Sequence, residues 1–244
     1  MKRAVIIGAT SGIGKEVARI LLSEGWKVGI SGRREDLLIQ MQSEAPESVE
    51  YEVIDITRQE APQLLGQLIS KLGGMDLYLH SAGYGRINPG LDPELEMKTI
   101  KTNVFGFVTM IDCAFNYFRQ QKHGYIAAIT SVAGRRGLGL NAAYSSTKRF
   151  QMTYLTALAQ LSNNYRYNIR ISDIQPGFVN TAFLSHSYPL RLKTSYVAGK
   201  IVKGLMKGRR CIVIDWRYRI VVFVWHLIPG RLWEHINLER FVRK

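Results

Sequence analysis

The sequence predicts an α/β fold, in which a doubly wound parallel sheet of about seven strands is covered by helices on both faces. Short apolar runs alternate with longer amphipathic segments along the chain, which is the pattern of repeated βαβ units. With 244 residues and 46% hydrophobic residues, the chain is long enough to bury one large core. No Pro-, Gly- or Ser-rich linker divides it, so we expect one domain over residues 1–244.

The apolar runs predict strands over residues 3–7, 27–31, 51–54, 76–80, 124–130, 169–175 and 211–214. The amphipathic segments predict helices over residues 12–24, 34–44, 58–72, 94–120, 142–163 and 194–207. In such a sheet, ligands bind beyond the carboxyl ends of the strands. Five positions that could belong to a site each follow a predicted strand, so we expect them to converge on one edge: Gly8, Asp55, Gly83, Ser131 and Pro176.

A glycine-rich turn follows the first strand, with the spacing Gly8-x-x-x-Gly12-x-Gly14. Glycines at these positions allow a tight turn and a close approach of the backbone to a pyrophosphate. The helix that begins at Gly12 offers that anion unpaired N–H groups and the positive end of its dipole. This strand–turn–helix predicts a dinucleotide site that includes Gly8, Ser11, Gly12, Ile13 and Gly14.

Tyr144 and Lys148 stand four residues apart, which places them one turn apart on the same face of a helix. The ordinary pKa of a tyrosine is about 10, and a neighbouring positive charge lowers it by favouring the phenolate. We therefore expect Tyr144 to exchange protons near neutral pH. The spacing alone is a weak signal, and it gains weight from the glycine turn and from Ser131.

Together these motifs resemble those of the short-chain dehydrogenase/reductase family, with a Rossmann-type fold. The resemblance extends over about residues 3–182 and includes the glycine turn, Ser131 and Tyr144-x-x-x-Lys148. It also includes Asp55-Ile56, Ala82-Gly83, Asn103 and Pro176-Gly177-x-x-x-Thr181. The chain differs from the family in two places: Ile7 stands where Thr is usual, and His80-Ser81 replaces a pair of asparagines.

The resemblance implies that Tyr144 is the general acid or base and that Lys148 lowers its pKa and binds the nicotinamide ribose. Ser131 then stabilises the oxygen of the reacting carbonyl, and Asn103 holds a water that joins Lys148 to solvent. Asp55 meets the adenine amino group, although an N-cap of a helix beginning near Arg58 is the alternative. The other cofactor-binding residues implied are Ile56, Ala82, Gly83, Pro176, Gly177 and Thr181.

The end of the second strand favours NADP(H) over NAD(H). An acidic residue there would accept a hydrogen bond from a ribose 2′-hydroxyl and repel a 2′-phosphate. This chain instead has Arg33 and Arg34, and its first carboxylate is Glu35. Guanidinium groups bind phosphate in a fork, so we expect Arg33, and second Arg34, to bind the 2′-phosphate.

Charge and aromatic residues are concentrated near the C-terminus. Residues 191–244 carry 13 Lys or Arg against 3 Asp or Glu, within a chain of net charge +14. We expect a substrate lid and helix over residues 182–208 and a basic, aromatic segment over residues 209–244. That segment suits an anionic membrane surface, with packing at a subunit interface as the alternative. Its apolar content argues against nucleic acid.

We therefore expect an NADP(H)-dependent oxidoreductase that acts on a small-molecule carbonyl/alcohol pair, as a reductase of a ketone or aldehyde with an apolar or lipid-like structure. The alternative is a dinucleotide-binding regulator or scaffold without turnover. We expect a cytoplasmic homodimer or homotetramer, or one peripheral at a membrane. Two cysteines without ligand spacing and five scattered histidines predict no metal. Arg86, Arg135 and Arg136 could receive an anionic group, with solvated surface arginines as the alternative.

Overall fold

Seven parallel strands form one sheet in the order β3-β2-β1-β4-β5-β6-β7. The computed structural model describes residues 2–181 and 190–237. The strands are β1 (Arg3–Ile7), β2 (Lys27–Gly32), β3 (Val49–Val53), β4 (Leu77–His80), β5 (Gly124–Ile129), β6 (Ile169–Gln175) and β7 (Cys211–Val213). The predicted doubly wound sheet is confirmed, and its order reverses between β1 and β4, where such folds bind ligands.

Helices cover both faces of this sheet. They are α1 (Gly12–Ser23), α2 (Glu35–Ser43), α3 (Ala61–Leu72), α4 (Pro93–Ile100), α5 (Phe107–Gln121), α6 (Ala142–Asn164), α7 (Thr194–Met206), α8 (Trp216–Leu227) and α9 (Gly230–Glu234). No helix in the described part of the chain is long and apolar enough to cross a membrane. Most of the predicted lid, residues 182–189, lies outside the described residues.

The strands are buried on both faces, as β1 illustrates. Ala4 and Ile6 belong to the hydrophobic core that α1 and α7 cover. Val5 and Ile7 point the other way, into the core formed with α3 and α5. Successive side chains of a strand alternate between the two faces, so a strand buried on both must be apolar throughout. This explains why its sequence is an uninterrupted apolar run.

The prediction of one continuous helix over residues 94–120 is wrong, because the structure has two helices there. A π-helical turn, Lys101–Gly106, separates α4 from α5. A Cβ on Gly106 would lie 2.8 Å from the carbonyl oxygen of Ile56, so the glycine lets this turn approach the end of β3. Insertions of this kind are frequent at functional sites because they displace a backbone segment and its side chains. Asn103 lies within this turn.

Candidate active site

A cavity of about 880 Å³ opens at the carboxyl ends of the strands. Of the residues that the sequence predicts for the site, all except Gly14 and Asn103 line it. Those that do are Gly8, Ser11, Gly12, Ile13, Arg33, Arg34, Asp55, Ile56, Ala82, Gly83, Ser131, Tyr144, Lys148, Pro176, Gly177 and Thr181. The fold therefore brings the glycine turn and the Tyr–Lys pair, which are far apart in sequence, to one cavity.

The glycine turn between β1 and α1 is tight, with no room for a side chain at Gly8 or Gly14. Gly8 and Gly12 have φ values of +88° and +60°, which L side chains rarely adopt. A Cβ on Gly8 would lie 2.7 Å from the backbone nitrogen of Ala82, and one on Gly14 would overlap the carbonyl oxygen of Gly8. Gly14 therefore lies outside the cavity and lets α1 pack closely against the backbone of Gly8. No acidic side chain occupies the first turn of α1, whose N–H groups remain suited to an anion.

The two arginines after β2 have different surroundings. The Arg34 guanidinium donates hydrogen bonds of 2.8 Å to the hydroxyls of both Thr10 and Ser11, which attaches it to the glycine turn. Arg33 lines the cavity near Asp55. Asp55 is the one carboxylate among the described residues that line the cavity. These residues fit a dinucleotide with an additional phosphate on its adenosine ribose.

Asp55 does not cap a helix, so the alternative considered for it is wrong. Its Oδ1 accepts hydrogen bonds from the backbone nitrogen of Thr57 at 3.0 Å and from the Thr57 hydroxyl at 2.8 Å. Helix α3 begins only at Ala61. Burial raises the pKa of the Asp55 carboxyl, but the Thr57 hydrogen bonds and the charge of Arg33 outweigh it and lower the pKa. Asp55 is therefore an ionised acceptor at the cavity wall.

Lys148 is buried behind Tyr144 on α6. Its Nζ donates to the carbonyl oxygen of Ile129 at 3.0 Å and to Oε1 of Gln151 at 2.9 Å, and it lies 5.7 Å from the centre of the Tyr144 ring. Burial lowers the pKa of Lys148 to about 7, although the negative charge of Asp173 acts in the opposite direction. The ammonium is thus held by two acceptors in a site that penalises its charge.

The pKa of Tyr144 differs from the sequence-based expectation. Burial raises it to about 12, while a hydrogen bond with Ser131 acts in the lowering direction. The expectation that a neighbouring ammonium would lower it is wrong in this structure. The physical reason is that removing water destabilises the phenolate more than its neighbours stabilise it, and Lys148 is itself desolvated. Ser131 remains the group placed beside the Tyr144 hydroxyl.

Asn103 lies behind the cavity and is fully buried. Its Oδ1 accepts a hydrogen bond from the backbone nitrogen of Tyr84 at 2.8 Å, and its Nδ2 donates to the Tyr84 oxygen at 2.7 Å and to the Thr147 hydroxyl at 3.1 Å. Its carbonyl oxygen accepts from Gln151 at 2.8 Å. In this structure Asn103 thereby links the segment after β4 to α6, beneath the Tyr–Lys pair.

Two residues near Lys148 were not found from the sequence. Gln151 bridges Lys148 and the π-helical turn, and its position three residues after Lys148 on the same helix could have suggested this contact. Asp173 lies within β6 and receives hydrogen bonds from Thr130 and Gln175. Nothing in the local sequence indicates that its charge acts on Lys148, because the sheet alone brings the two residues together.

The remaining wall of the cavity is largely apolar. It is formed by side chains from the segments after β5 and β6 and from α8: Leu138, Leu140, Phe178, Leu190, Tyr218, Val221 and Trp225. Arg86 also lines it. Arg135 instead donates to Gln175 at 2.9 Å, and Arg136 donates to the Trp225 oxygen at 3.0 Å. Arg135 and Arg136 are therefore neither ligands in this cavity nor merely solvated.

His80, which departs from the family pattern, is a packed core residue. It is fully buried, its Nδ1 lies 3.0 Å from the Tyr78 hydroxyl, and its ring meets Phe107 edge-on. Burial, and next the charge of Lys148, lower the pKa of His80 to about 3, so the ring stays neutral. Within residues 2–181 and 190–237, no cluster of His, Cys, Asp or Glu could hold a metal ion.

Known proteins are similar to this chain in sequence and in fold. The short chain dehydrogenase family matches residues 2–190. An uncharacterized oxidoreductase of Myxococcus xanthus (strain DK1622) is 28% identical over 243 residues, which span 96% of this chain and 95% of that protein. A 3-ketodihydrosphingosine reductase of Bacteroides thetaiotaomicron is 32% identical over 183 residues, which span 73% of this chain and 64% of that protein.

The fold is similar to a solved short chain dehydrogenase from Burkholderia cenocepacia J2315 in complex with NADP. The TM-score is 0.82 at 20% identity, and the match covers 96% of this chain and 98% of that one. The family match includes the glycine turn, Ser131, Tyr144 and Lys148, all of which line one cavity. The chain therefore belongs to the short-chain dehydrogenase/reductase family of NAD(P)-dependent oxidoreductases.

Proposed function

We propose that the protein is an NADP(H)-dependent reductase of an apolar ketone or aldehyde. The single observation that carries this proposal is the composition of the cavity. One end holds the glycine turn with Arg33 and Arg34, and the other holds Ser131, Tyr144 and an apolar wall. Such a cavity can bind a phosphorylated dinucleotide and a carbonyl compound side by side.

Ser131, Tyr144 and Lys148 each have a role in the proposed reaction. NADPH, when bound, would supply a hydride to the carbonyl carbon of the substrate, and negative charge would then develop on the carbonyl oxygen. Tyr144 donates the proton that this oxygen takes up, and Ser131 donates a hydrogen bond to it. Lys148 replenishes and orients the proton donor, and Gln151 and the Ile129 carbonyl hold its Nζ in place. The reverse reaction uses Tyr144 as the base.

The preference for NADPH is attributed to the arginines after β2. Hydrogen bonds to charged groups contribute about 1.5–3 kcal/mol. We expect Arg33→Ala to weaken NADPH binding by roughly tenfold to a hundredfold while NADH binding changes little. Fluorescence titration of both cofactors measures this difference. Arg19→Ala is the matched control, because Arg19 is an exposed arginine on α1 that does not line the cavity. Equal affinity of the wild type for NADH and NADPH would contradict the proposal.

The apolar wall supports a substrate with a hydrocarbon portion, since burying apolar surface drives binding in such a site. The Bacteroides thetaiotaomicron relative is named for the reduction of a keto group, which supports the ketone class for this chain. Screening ketones and aldehydes of increasing chain length with NADPH tests this point. We expect kcat/KM to rise with chain length, and a preference for short polar carbonyls would contradict it.

We further propose that the protein is a homodimer or homotetramer in the cytoplasm. Large apolar side chains are exposed on elements that pack together, namely α4, the π-helical turn and α6; they are Met97, Ile100, Phe105 and Phe150. A second copy of the chain would remove them from water. Light scattering of the purified protein measures the molar mass, and a monomer at micromolar concentration would contradict this proposal.

A further inference from the structure

Apolar residues lie on two opposite faces of helix α8, and one of these faces is exposed. Trp216, Ile220, Phe223, Val224 and Leu227 are between 46% and 66% exposed. With 3.6 residues per turn, they lie within an arc of about 100° and form one stripe along the helix. An apolar face of a helix is normally buried, so this stripe lacks the apolar surroundings that its composition requires.

The opposite face of α8 forms part of the cavity. Tyr218, Val221 and Trp225 line it, and the Tyr218 hydroxyl accepts a hydrogen bond from the backbone nitrogen of Phe178 at 2.9 Å. Tyr218 also donates to the Leu190 oxygen at 3.1 Å. The helix is therefore a wall of the active-site cavity, with the exposed stripe directly behind it.

The end of this helix is held by the body of the protein. Arg136 donates to the backbone oxygens of Trp225 and Ile228, which are acceptors at the C-terminal end of α8. The Trp233 ring meets Trp225 edge-on at 5.2 Å, and its Nε1 donates to the Gly137 oxygen at 2.8 Å. Because these contacts fix the orientation of α8, the exposed stripe is a fixed surface of the fold.

The charges around the stripe indicate what covers it. Arg217 and Arg219 flank it on its two sides, about 20–40° beyond its edges when the helix is viewed along its axis. The Arg217 guanidinium pairs with Asp215 at 2.8 Å, so the unbalanced charge beside the stripe comes from Arg219 and from the rest of the basic segment. Residues 191–244 together carry 13 Lys or Arg against 3 Asp or Glu. A second copy docked through this stripe would bring two strongly positive segments together, which is unfavourable. An apolar stripe between basic residues is instead complementary to an anionic lipid surface.

We propose that α8 lies in the surface of an anionic membrane, with Trp216, Ile220, Phe223 and Leu227 in contact with the lipid. The cavity behind this helix would then open beside the bilayer, where a hydrophobic ketone is concentrated. This inference rests on the proposed function for the substrate class, whereas the membrane contact itself rests on α8 and its charges. The substrate that reaches the site would accordingly be a lipid-soluble carbonyl compound.

Co-sedimentation of the full-length protein with vesicles tests the contact. Vesicles of phosphatidylglycerol and phosphatidylcholine are compared with vesicles of phosphatidylcholine alone, at low and high salt. We expect binding to the anionic vesicles that weakens as salt is added. Phe223→Glu should reduce this binding at least about tenfold, since it replaces an aromatic side chain in contact with the lipid by a negative charge. Ile39→Glu is the matched control, because Ile39 is 48% exposed on α2 and distant in sequence from α8.

Each outcome distinguishes this inference from the proposed function. NADPH binding and reduction of a water-soluble ketone, measured without vesicles, report on the reductase alone and should survive Phe223→Glu. Absence of binding by the wild type to anionic vesicles at low salt overturns the membrane contact. Equal loss of binding in Ile39→Glu and Phe223→Glu also overturns it. A smaller molar mass of Phe223→Glu in light scattering would assign the stripe to a second copy and overturn it as well.

Discussion

Tyr144→Phe is expected to lower kcat for carbonyl reduction by about 10³-fold, within the range that a positioned acid–base group contributes. The substitution removes the hydroxyl that hydrogen-bonds with Ser131 and would donate the proton, while the ring remains. That ring packs closely against Gly85, where a side chain would collide with it, so phenylalanine should occupy the same place. Stopped-flow or steady-state measurement of NADPH oxidation gives the rate.

The binding of NADPH should be nearly unchanged in Tyr144→Phe, because the glycine turn and the arginines after β2 are untouched. Tyr165→Phe is the matched control: Tyr165 is 63% exposed, does not line the cavity and should leave kcat unaltered. A Tyr144→Phe protein that reduces carbonyls at the rate of the wild type would remove Tyr144 from the mechanism. Binding of NADPH without any turnover by the wild type would favour a regulatory role.

Lys148→Met is expected to lower kcat by about 10²-fold and also to weaken NADPH binding. Methionine has a similar length and suits a buried position, but it cannot donate to Ile129 or Gln151, and it carries no charge near Tyr144. Kinetics at several NADPH concentrations separate the two effects. Lys122→Met, outside the cavity at the end of α5, is the control and should change neither.

The stability of the wild type should depend on pH differently from that of Lys148→Met. The pKa of Lys148 is lowered by burial to about 7 from an ordinary value of 10.5, so between these pH values the unfolded chain binds more protons than the folded one. Stability contributed at this position therefore rises with pH across that window. We expect the free energy of unfolding of the wild type, relative to Lys148→Met, to increase between pH 7 and 10. Urea unfolding at a series of pH values measures it, and a constant or falling difference would contradict the burial of Lys148.

The seven strands, the helices up to α7 and most of the cavity could be predicted from the sequence because their signals are local, whereas helices α8 and α9 were not predicted. The run of apolar residues in β1 and the glycines after it specify a strand, a turn and a helix within a dozen positions. The spacing of Tyr144 and Lys148 specifies a shared helix face. Family resemblance then assigned a role to Ser131, which its place after a predicted strand had already indicated, and added Asn103, which no local pattern identifies.

Interactions between distant segments explain what the sequence did not reveal. The π-helical turn around Asn103 depends on Gly106 fitting against Ile56, and Gln151 completes it from α6. The pKa of Tyr144 rises because burial outweighs its neighbours, and the depth of burial is a property of the assembled fold.

In the C-terminal segment too, some features follow from the sequence and others only from the tertiary structure. Its sequence by itself determined that basic, aromatic and apolar residues occur together, which left a membrane and a subunit interface as alternatives. Only the tertiary structure decided which face of α8 lines the cavity and which is exposed, because Tyr218 and Arg136 fix the rotation and the end of the helix through contacts with remote segments. A helix with apolar residues on two opposite faces does not indicate by its sequence which face is buried, so its orientation is set by what it packs against.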